Sequence, residues 1–390
     1  MQSELSIDVL IVGAGLVGAS LAAALASATF RLALVESKPP AIAEPADWDS
    51  RIYAISPANR AFLDSIGAWS LLDGARVASV QKMTVFGDAG SRIDFSAYET
   101  GVDSLAWIVE SGALARALWS VLEHQPNLEL VCPAVPERLE LSGSAASLYL
   151  ESGRLIEAGL VVGADGAQSF VRNQAGIRAD SKPYGQLGVV ANFACERSHR
   201  ETALQWFRGD GVLAWLPLPG NRISMVWSTS ETHAQELLAM PPDALCECVA
   251  AAGANTLGQL QLITPPKAFP LVRMKVSSMV APRVALIGDA AHVVHPLAGQ
   301  GVNLGFGDAA ALARVLLSAR PGRDVGDRLL LRRFERARAE DILAMRWATH
   351  GLEKLFQAGT PGIASLRNAG LNVVDRMQVL KTLLVKQALG

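Results

Sequence analysis

The chain has 390 residues, half of them hydrophobic, and 35 basic against 37 acidic residues give a formal net charge of −2. That length and composition suit two or three domain-sized units with a large core, which excludes a disordered chain, and the balanced charge offers no basic footprint for a nucleic acid. The four cysteines, Cys132, Cys195, Cys246 and Cys248, form no CxxC pair, so neither a zinc ribbon nor a disulfide scaffold is expected and a reducing cytoplasm fits.

Residues 9–26, VLIVGAGLVGASLAAALA, are 18 uncharged residues, near the lower limit for a membrane span. The acidic MQSELSID before them does not suit a secretory leader. The stretch reads instead as a buried strand over 7–12, a glycine turn and an alanine-rich helix to about Ser27. Leu32–Glu36 completes a βαβ unit. A proline- and alanine-rich loop follows at 38–49, then a helix around Ala58–Ile66, strand-rich sequence over 79–109 and a helix over 111–124. LELVCPAV and SLYLES read as strands, and LIEAGLVVGADGAQSFVR follows at 155–172. Between 184 and 229 the runs GVVANFACE, ALQWF, GVLAWLPL and RISMVWST predict an antiparallel sheet inserted into an α/β chain, the last three divided by Gly-Asp-Gly and Pro-Gly-Asn turns. VALIGDAA at 284–291 returns to the parallel-strand style, and from about Gly301 onward the chain reads as mostly helical.

Gly13-Ala14-Gly15-Leu16-Val17-Gly18 is a GxGxxG turn between strand and helix. A tight turn needs Gly13, close approach of a pyrophosphate to the backbone needs Gly15, and helix-on-strand packing needs Gly18. The helix start offers free N–H groups to the anion. Glu36 stands 18 residues beyond Gly18, where a carboxylate can accept from adenosine ribose hydroxyls. In this setting the motif indicates a dinucleotide rather than an ordinary glycine-rich turn.

Two later segments extend the pattern: Val162-Gly-Ala-Asp165-Gly166-Ala-Gln-Ser169-Phe-Val-Arg172, and Leu286-Ile-Gly288-Asp289 followed by Gly299-Gln-Gly301-Val302-Asn303. With the glycine turn, and in this order, they resemble the flavoprotein aromatic hydroxylases of the p-hydroxybenzoate hydroxylase type. Asp49-Ser-Arg51-Ile-Tyr-Ala54-Ile-Ser, Ile108-Val-Glu110 with Leu114, Tyr184-Gly-Gln186 and HPLAGQGVNLGFGDAAALA further resemble the ubiquinone-biosynthesis ring hydroxylases, the UbiH/UbiF/VisC group, from about residue 5 to 356.

The resemblance implies an α/β fold: a Rossmann-like FAD-binding domain with an inserted, mostly antiparallel β-sheet substrate domain and a helical C-terminus. The corresponding boundaries are 1–75, 102–180 and 270–330 for the FAD domain, 76–101 and 181–269 for the sheet domain, and 331–390 for the helical region. It also implies one non-covalent FAD, transient NAD(P)H, O2, a polyprenylated phenol and a flavin C4a-hydroperoxide. Under it Asp289, beside Gly288, bonds FAD ribityl or ribose hydroxyls. Gly299 and Gly301 bring backbone close to the isoalloxazine ring, Val302 and Asn303 belong to a helix start facing the flavin pyrimidine, and Pro296 fixes the loop on the other side. Arg51 offers a guanidinium to the pyrophosphate or the nicotinamide phosphate. Asp165 opens a turn near FAD, with a cap for a helix over 166–172 as the other reading and the two compatible. Glu110 stands where the broader superfamily often has Arg or Gln. No side chain is assigned to proton transfer.

Asp289, His292 and His295 have an even spacing that would suit a metal only on a helix, and Pro296 and the glycines at 299 and 301 argue for a loop. No metal is expected, and the histidines are read as loop-packing or flavin-proximal, with a catalytic base role for either as the lesser alternative. Trp206, Phe207, Trp215 and Trp227 either wall an apolar pocket or form ordinary core. The absence of a second GxGxxG favours one bound dinucleotide and a transient reductant. Rival readings are an FAD-dependent prenyl reductase, a nicotinamide dehydrogenase and a non-catalytic FAD-binding subunit of a quinone-synthesis complex. Residues 371–390 form an amphipathic basic pattern, read as a helix docked on the chain's own core or a dimer partner, or as a peripheral contact with the inner face of a membrane.

Overall fold

The computed structural model describes residues 5–40, 48–87, 91–294, 301–320 and 322–357. The expectations for His295, Pro296, Gly299 and the 371–390 segment lie outside the described residues.

IDVLIV lacks the polar alternation of a half-solvated strand because both of its faces are covered. It lies in Leu5–Val12, at the centre of a sheet of eight strands whose main path runs Val280–Ala281, Val284–Leu286, Leu155–Gly163, Leu5–Val12, Leu32–Val35, Leu128–Val131. From Val284–Leu286 onward this path is parallel. Val131, Val35, Val12, Gly163 and Leu286 form one row across it. The chain leaves Leu5–Val12 for one side of the sheet and later returns to the other, so the strand order reverses between Leu5–Val12 and Leu155–Gly163. The carboxyl edge at such a reversal is where open α/β sheets bind ligands.

The helix after the glycine turn is Leu16–Ala24, shorter than expected, and it packs on a long helix, Gly301–Leu317. Small residues allow this approach: a side-chain carbon on Gly305 would lie 2.5 Å from Val17. A further helix, Arg328–Gln357, packs against Gly301–Leu317.

The four strand-like runs form neighbouring strands, Ala179–Cys195, Thr202–Arg208, Gly211–Leu218 and Arg222–Ser230, in a second sheet of nine. Its other members include Lys267–Val276, His292–Val293, Lys82–Phe86 and Arg92–Ser96. Two helices, Glu231–Ala239 and Pro242–Ala252, were not anticipated and cover one face. The other face packs on a small sheet made of Ile52–Ile55, Ala106–Glu110 and Ala78–Val80.

Strand alternation decides between the two readings of the aromatic residues. Trp206, Trp215 and Trp227 belong to the core beneath the two covering helices, with Trp206 edge-on to Trp215 at 4.8 Å. They are packing residues. Phe207, one position along from Trp206, has the parity of Ala203, which packs toward Ile52 and Ile108 on the opposite face.

Candidate cofactor site

The row of paired residues brings the separated motifs together. One residue past it stand Gly13, Glu36, Ala164 and Ile287, and the loops are bonded to one another: Gly13 N to Val35 O at 2.8 Å, Ala164 N to Val12 O at 2.8 Å and Ile287 N to Gly163 O at 3.0 Å.

The three glycines of the turn have three different reasons. Gly13 has φ +100°, and a β-carbon there would lie 2.5 Å from Ala164 O. On Gly18 it would lie 1.9 Å from Gly13 O. On Gly15, at the helix N-cap, it would meet nothing within 4 Å. The turn therefore closes at Gly13 and Gly18 and leaves free space at Gly15, as a phosphate cradle requires. Glu36 Oε2 accepts the Ala14 amide at 2.7 Å, and Oε1 accepts Ser37 Oγ at 3.0 Å. Oε1 also accepts the Lys38 amide at 3.2 Å, so Oε2 is the oxygen that retains acceptor capacity for a hydroxyl.

Asp289 lies in one turn of 3-10 helix, Gly288–Ala290, and Gly288 has φ +60°. The Asp289 carboxylate is solvent-accessible, with no hydrogen-bond partner among the described residues. Burial nevertheless raises its pKa, against the pull of His292 and Arg51. Arg172 ties the Asp-Gly segment to this turn, with Nη2 donating to Ala167 O at 2.9 Å and Nη1 to Ala290 O at 3.1 Å.

Other expected residues have structural partners. Asp165 caps the helix Phe170–Gln174, accepting Ser169 Oγ at 2.5 Å and the Val171 amide at 3.0 Å. Its carboxylate thus performs the capping role among those foreseen. Buried Glu110 receives both Nε and Nη2 of Arg76 at 2.7 Å and the Asp49 amide at 2.6 Å. It anchors the segment leading to Arg51, whose exposed guanidinium lies 5.6 Å from the Tyr53 ring centre. Asn303 spends its side chain on Ala54 O at 2.7 Å, the Ser56 amide at 3.1 Å and Asn59 Nδ2 at 3.0 Å. Its backbone oxygen also accepts from Asn59 Nδ2 at 3.2 Å, so its backbone N–H, in the first turn of the helix, is the main-chain group left for a ligand. Val302 packs against the main core, while Gly301 has free space where a β-carbon would stand.

Sequence reasoning missed several residues. Arg116 Nη1 is buried without a hydrogen-bond partner; it folds over Gly112, beside Asp49, while Trp119 on the same helix donates to Ala14 O at 3.3 Å. Asn192 Nδ2 reaches Asp49 O at 2.9 Å, and its Oδ1 is unpaired, as is Oγ of its register partner Ser224. Both side chains are fully buried. Neither residue type nor spacing marked these positions, because their partners lie on distant elements.

An open glycine cradle at a helix start, an acid at the end of the next strand and a half-buried arginine whose Nη1 lacks a partner together fit a dinucleotide. Residues 140–345 match the family model described as an FAD binding domain. The chain is 36% identical over 384 residues to the ubiquinone hydroxylase UbiL of Rhodospirillum rubrum, covering 98% of this chain and 89% of that protein. The chain belongs to the FAD-dependent ubiquinone-biosynthesis hydroxylases. It is also 35% identical to the 3-demethoxyubiquinol 3-hydroxylase of Escherichia coli, covering 98% of each. Among solved structures, a probable FAD-dependent monooxygenase from Pseudomonas aeruginosa superposes with a TM-score of 0.77 at 25% identity, covering 94% of this chain and all of that one. Family membership makes the protein an FAD-dependent monooxygenase.

Proposed function

We propose that the protein hydroxylates the ring of a polyprenylated phenol in ubiquinone biosynthesis, using NAD(P)H and O2. The convergence of the glycine turn, Glu36 and Asp289 at the strand-order reversal carries this reading, together with relatives named as ubiquinone hydroxylases that match 98% of the chain. FAD, when bound, supplies the redox chemistry. The chain's own residues bind, orient and exclude water. Gly13 and Gly18 shape the cradle, Gly15 admits the pyrophosphate, Glu36 accepts from ribose, and Asp289 accepts from ribityl or ribose hydroxyls. Arg51 and Arg116 offer cations to the phosphates. Gly288 and Gly301 give close backbone approach, with Val302 and Asn303 contributing main-chain groups; Pro296 and Gly299 complete the loop in this reading. Glu110 and Asp165 act by holding their segments.

The substrate ring is assigned to the sheet face turned toward Ile52 and Ile108. That face carries the buried polar groups Asn192, Gln205, Ser224 and Ser228 beside Phe207. The inserted sheet is thus the substrate domain and the parallel sheet the FAD domain. A peripheral membrane contact suits a prenylated substrate. Among the described residues no helix is long and apolar enough to cross a membrane. The exposed side of the helix over 328–343 carries Arg328, Arg332, Arg333 and Arg336 with Leu329 and Leu343, which are 70% and 52% exposed, and Glu340 and Asp341 near its end. Basic charge with exposed leucines favours an anionic surface.

Deleting the gene tests the reading. Mass spectrometry should find a prenylated precursor one hydroxyl short, restored by the wild-type chain and not by Asp289→Asn. An unchanged quinone profile would refute it.

A further inference from the structure

The turn that presents Asp289 is held from below by an aspartate that the cofactor motifs did not single out. Asp308, fully buried in Gly301–Leu317, accepts the Gly288 amide at 2.9 Å through Oδ2, and the same oxygen receives His292 Nε2 at 2.6 Å. Its other oxygen, Oδ1, accepts Arg338 Nε at 2.8 Å from the following helix. Arg338 also donates from Nη2 to Leu304 O at 3.2 Å and from Nη1 to Asp341. Gly307 makes room for this guanidinium, since a β-carbon there would stand 2.8 Å from Nη2.

A carboxylate in a core is costly unless fully paired, and an apolar side chain of similar size packs as well or better. Helix packing alone therefore does not explain an aspartate here. Among the donors that meet Asp308, the Gly288 amide is the backbone one, and it belongs to a residue of left-handed φ in the turn that carries Asp289. Arg338, joined by His292 when its ring is protonated, then balances the buried anion.

We propose that Asp308 is a positioning residue for the cofactor: it fixes the Gly288 amide, and with it the turn that aims Asp289 at FAD. The inference rests on the reading that Asp289 contacts FAD. It makes Asp308 act through Asp289, so the two effects on FAD affinity overlap instead of multiplying.

The test is a double-mutant cycle on FAD affinity, measured by quenching of flavin fluorescence on titrating apoprotein. Asp289→Asn and Asp308→Asn should each weaken binding about 10-fold or more, the range seen when a supporting hydrogen bond behind a ligand is removed. The double variant should bind within about 2-fold of Asp289→Asn alone. Leu331→Ala, a fully buried position on the same helix pair, should lower the melting temperature and leave affinity within about 2-fold of wild type. Multiplying effects, or an equal loss in Leu331→Ala, would show that Asp308 acts only through general stability and overturn the proposal. Should Asp308→Asn not fold, His292→Leu, which strips Oδ2 of its second donor, enters the same cycle with the same two outcomes. Unchanged affinity in Asp289→Asn would sink the site reading itself. A loss in Asp289→Asn with none in Asp308→Asn would sink this inference alone.

Discussion

Two turns stand at the carboxyl edge of the parallel sheet, where the cofactor is proposed to bind, and they are built differently. The Gly13–Gly18 turn is closed chiefly by backbone packed against glycine, with closest approaches to Ala164 O and Gly13 O, while Glu36 accepts the Ala14 amide and Trp119 donates to Ala14 O. The Gly288–Asp289 turn is held by buried charge brought from Asp308, His292 and Arg338. The first is limited chiefly by volume. The second depends on the protonation of its supports. The first should break under added volume, the second under altered charge.

The largest effect is expected at Gly18. Gly18→Ala puts a carbon 1.9 Å from Gly13 O, where the neighbour is backbone and cannot swing aside. Overpacking of this kind costs about 3 kcal/mol, so the variant should lose that much in urea denaturation or fail to accumulate as soluble protein. A stable Gly18→Ala protein with full FAD would show that the turn yields.

Next comes Asp289. Its carboxylate supports no hydrogen bond within the described fold, so Asp289→Asn should keep the apoprotein's melting temperature. Losing a hydrogen bond to a charged acceptor, about 1.5–3 kcal/mol, corresponds to roughly 10- to 100-fold weaker FAD binding. Loss of fold with FAD affinity retained would assign Asp289 to structure.

The charge-held turn should also respond to pH. For His292, burial favours the neutral ring, yet the charge and hydrogen bond of Asp308 outweigh it and the pKa is raised. For Asp308, burial opposes ionisation, yet His292 and Arg338 outweigh it and the pKa is lowered. A raised histidine contributes fully below its unfolded pKa and loses that contribution as pH rises through its folded pKa. A depressed aspartate contributes above its unfolded pKa and loses it as pH falls through its folded one. Both are fully present between about pH 4 and 6.5. The stability advantage of wild type over Asp308→Asn should therefore be widest in that window and shrink on either side, as read by denaturant midpoints across pH. A flat difference would mean that the pair does not titrate as the geometry requires.

The smallest stability effect belongs to Gly15. Its β-carbon position is open, so Gly15→Ala should change apoprotein stability by less than about 1 kcal/mol while FAD binding weakens. Equal losses in both would place Gly15 with Gly13 and Gly18 as a packing glycine.

The same contrast explains what was legible in the sequence. Gly13, Gly15, Gly18 and Glu36 form a local code, because strand, turn and helix are contiguous and each glycine answers a constraint within a few residues or from the next strand. The parallel and antiparallel runs were also readable from hydrophobic pattern. Asp308 lies within the HPLAGQGVNLGFGDAAALA run, but nothing in that run marks it as turned inward beneath Gly288, and Arg338 is an ordinary basic residue on a helix until the fold brings it there. Asn303 was assigned to the cofactor, yet its side chain clasps Ala54, Ser56 and Asn59, which lie more than 240 positions away in the chain. One missed signal was available. Trp206 and Phe207 are consecutive in a strand, so they could not wall the same pocket. The helices Glu231–Ala239 and Pro242–Ala252 could have been sought once three tryptophans required a cover.

The central claim is that this chain puts oxygen into a phenolic ring. Purified FAD-loaded protein, NADPH or NADH and a short-chain prenylated phenol should be incubated under 18O2, and the product mass measured. The account predicts a product that gains a single oxygen carrying the 18O label, with none drawn from water. Nicotinamide oxidation that saturates a prenyl double bond, or a product without label, would contradict it.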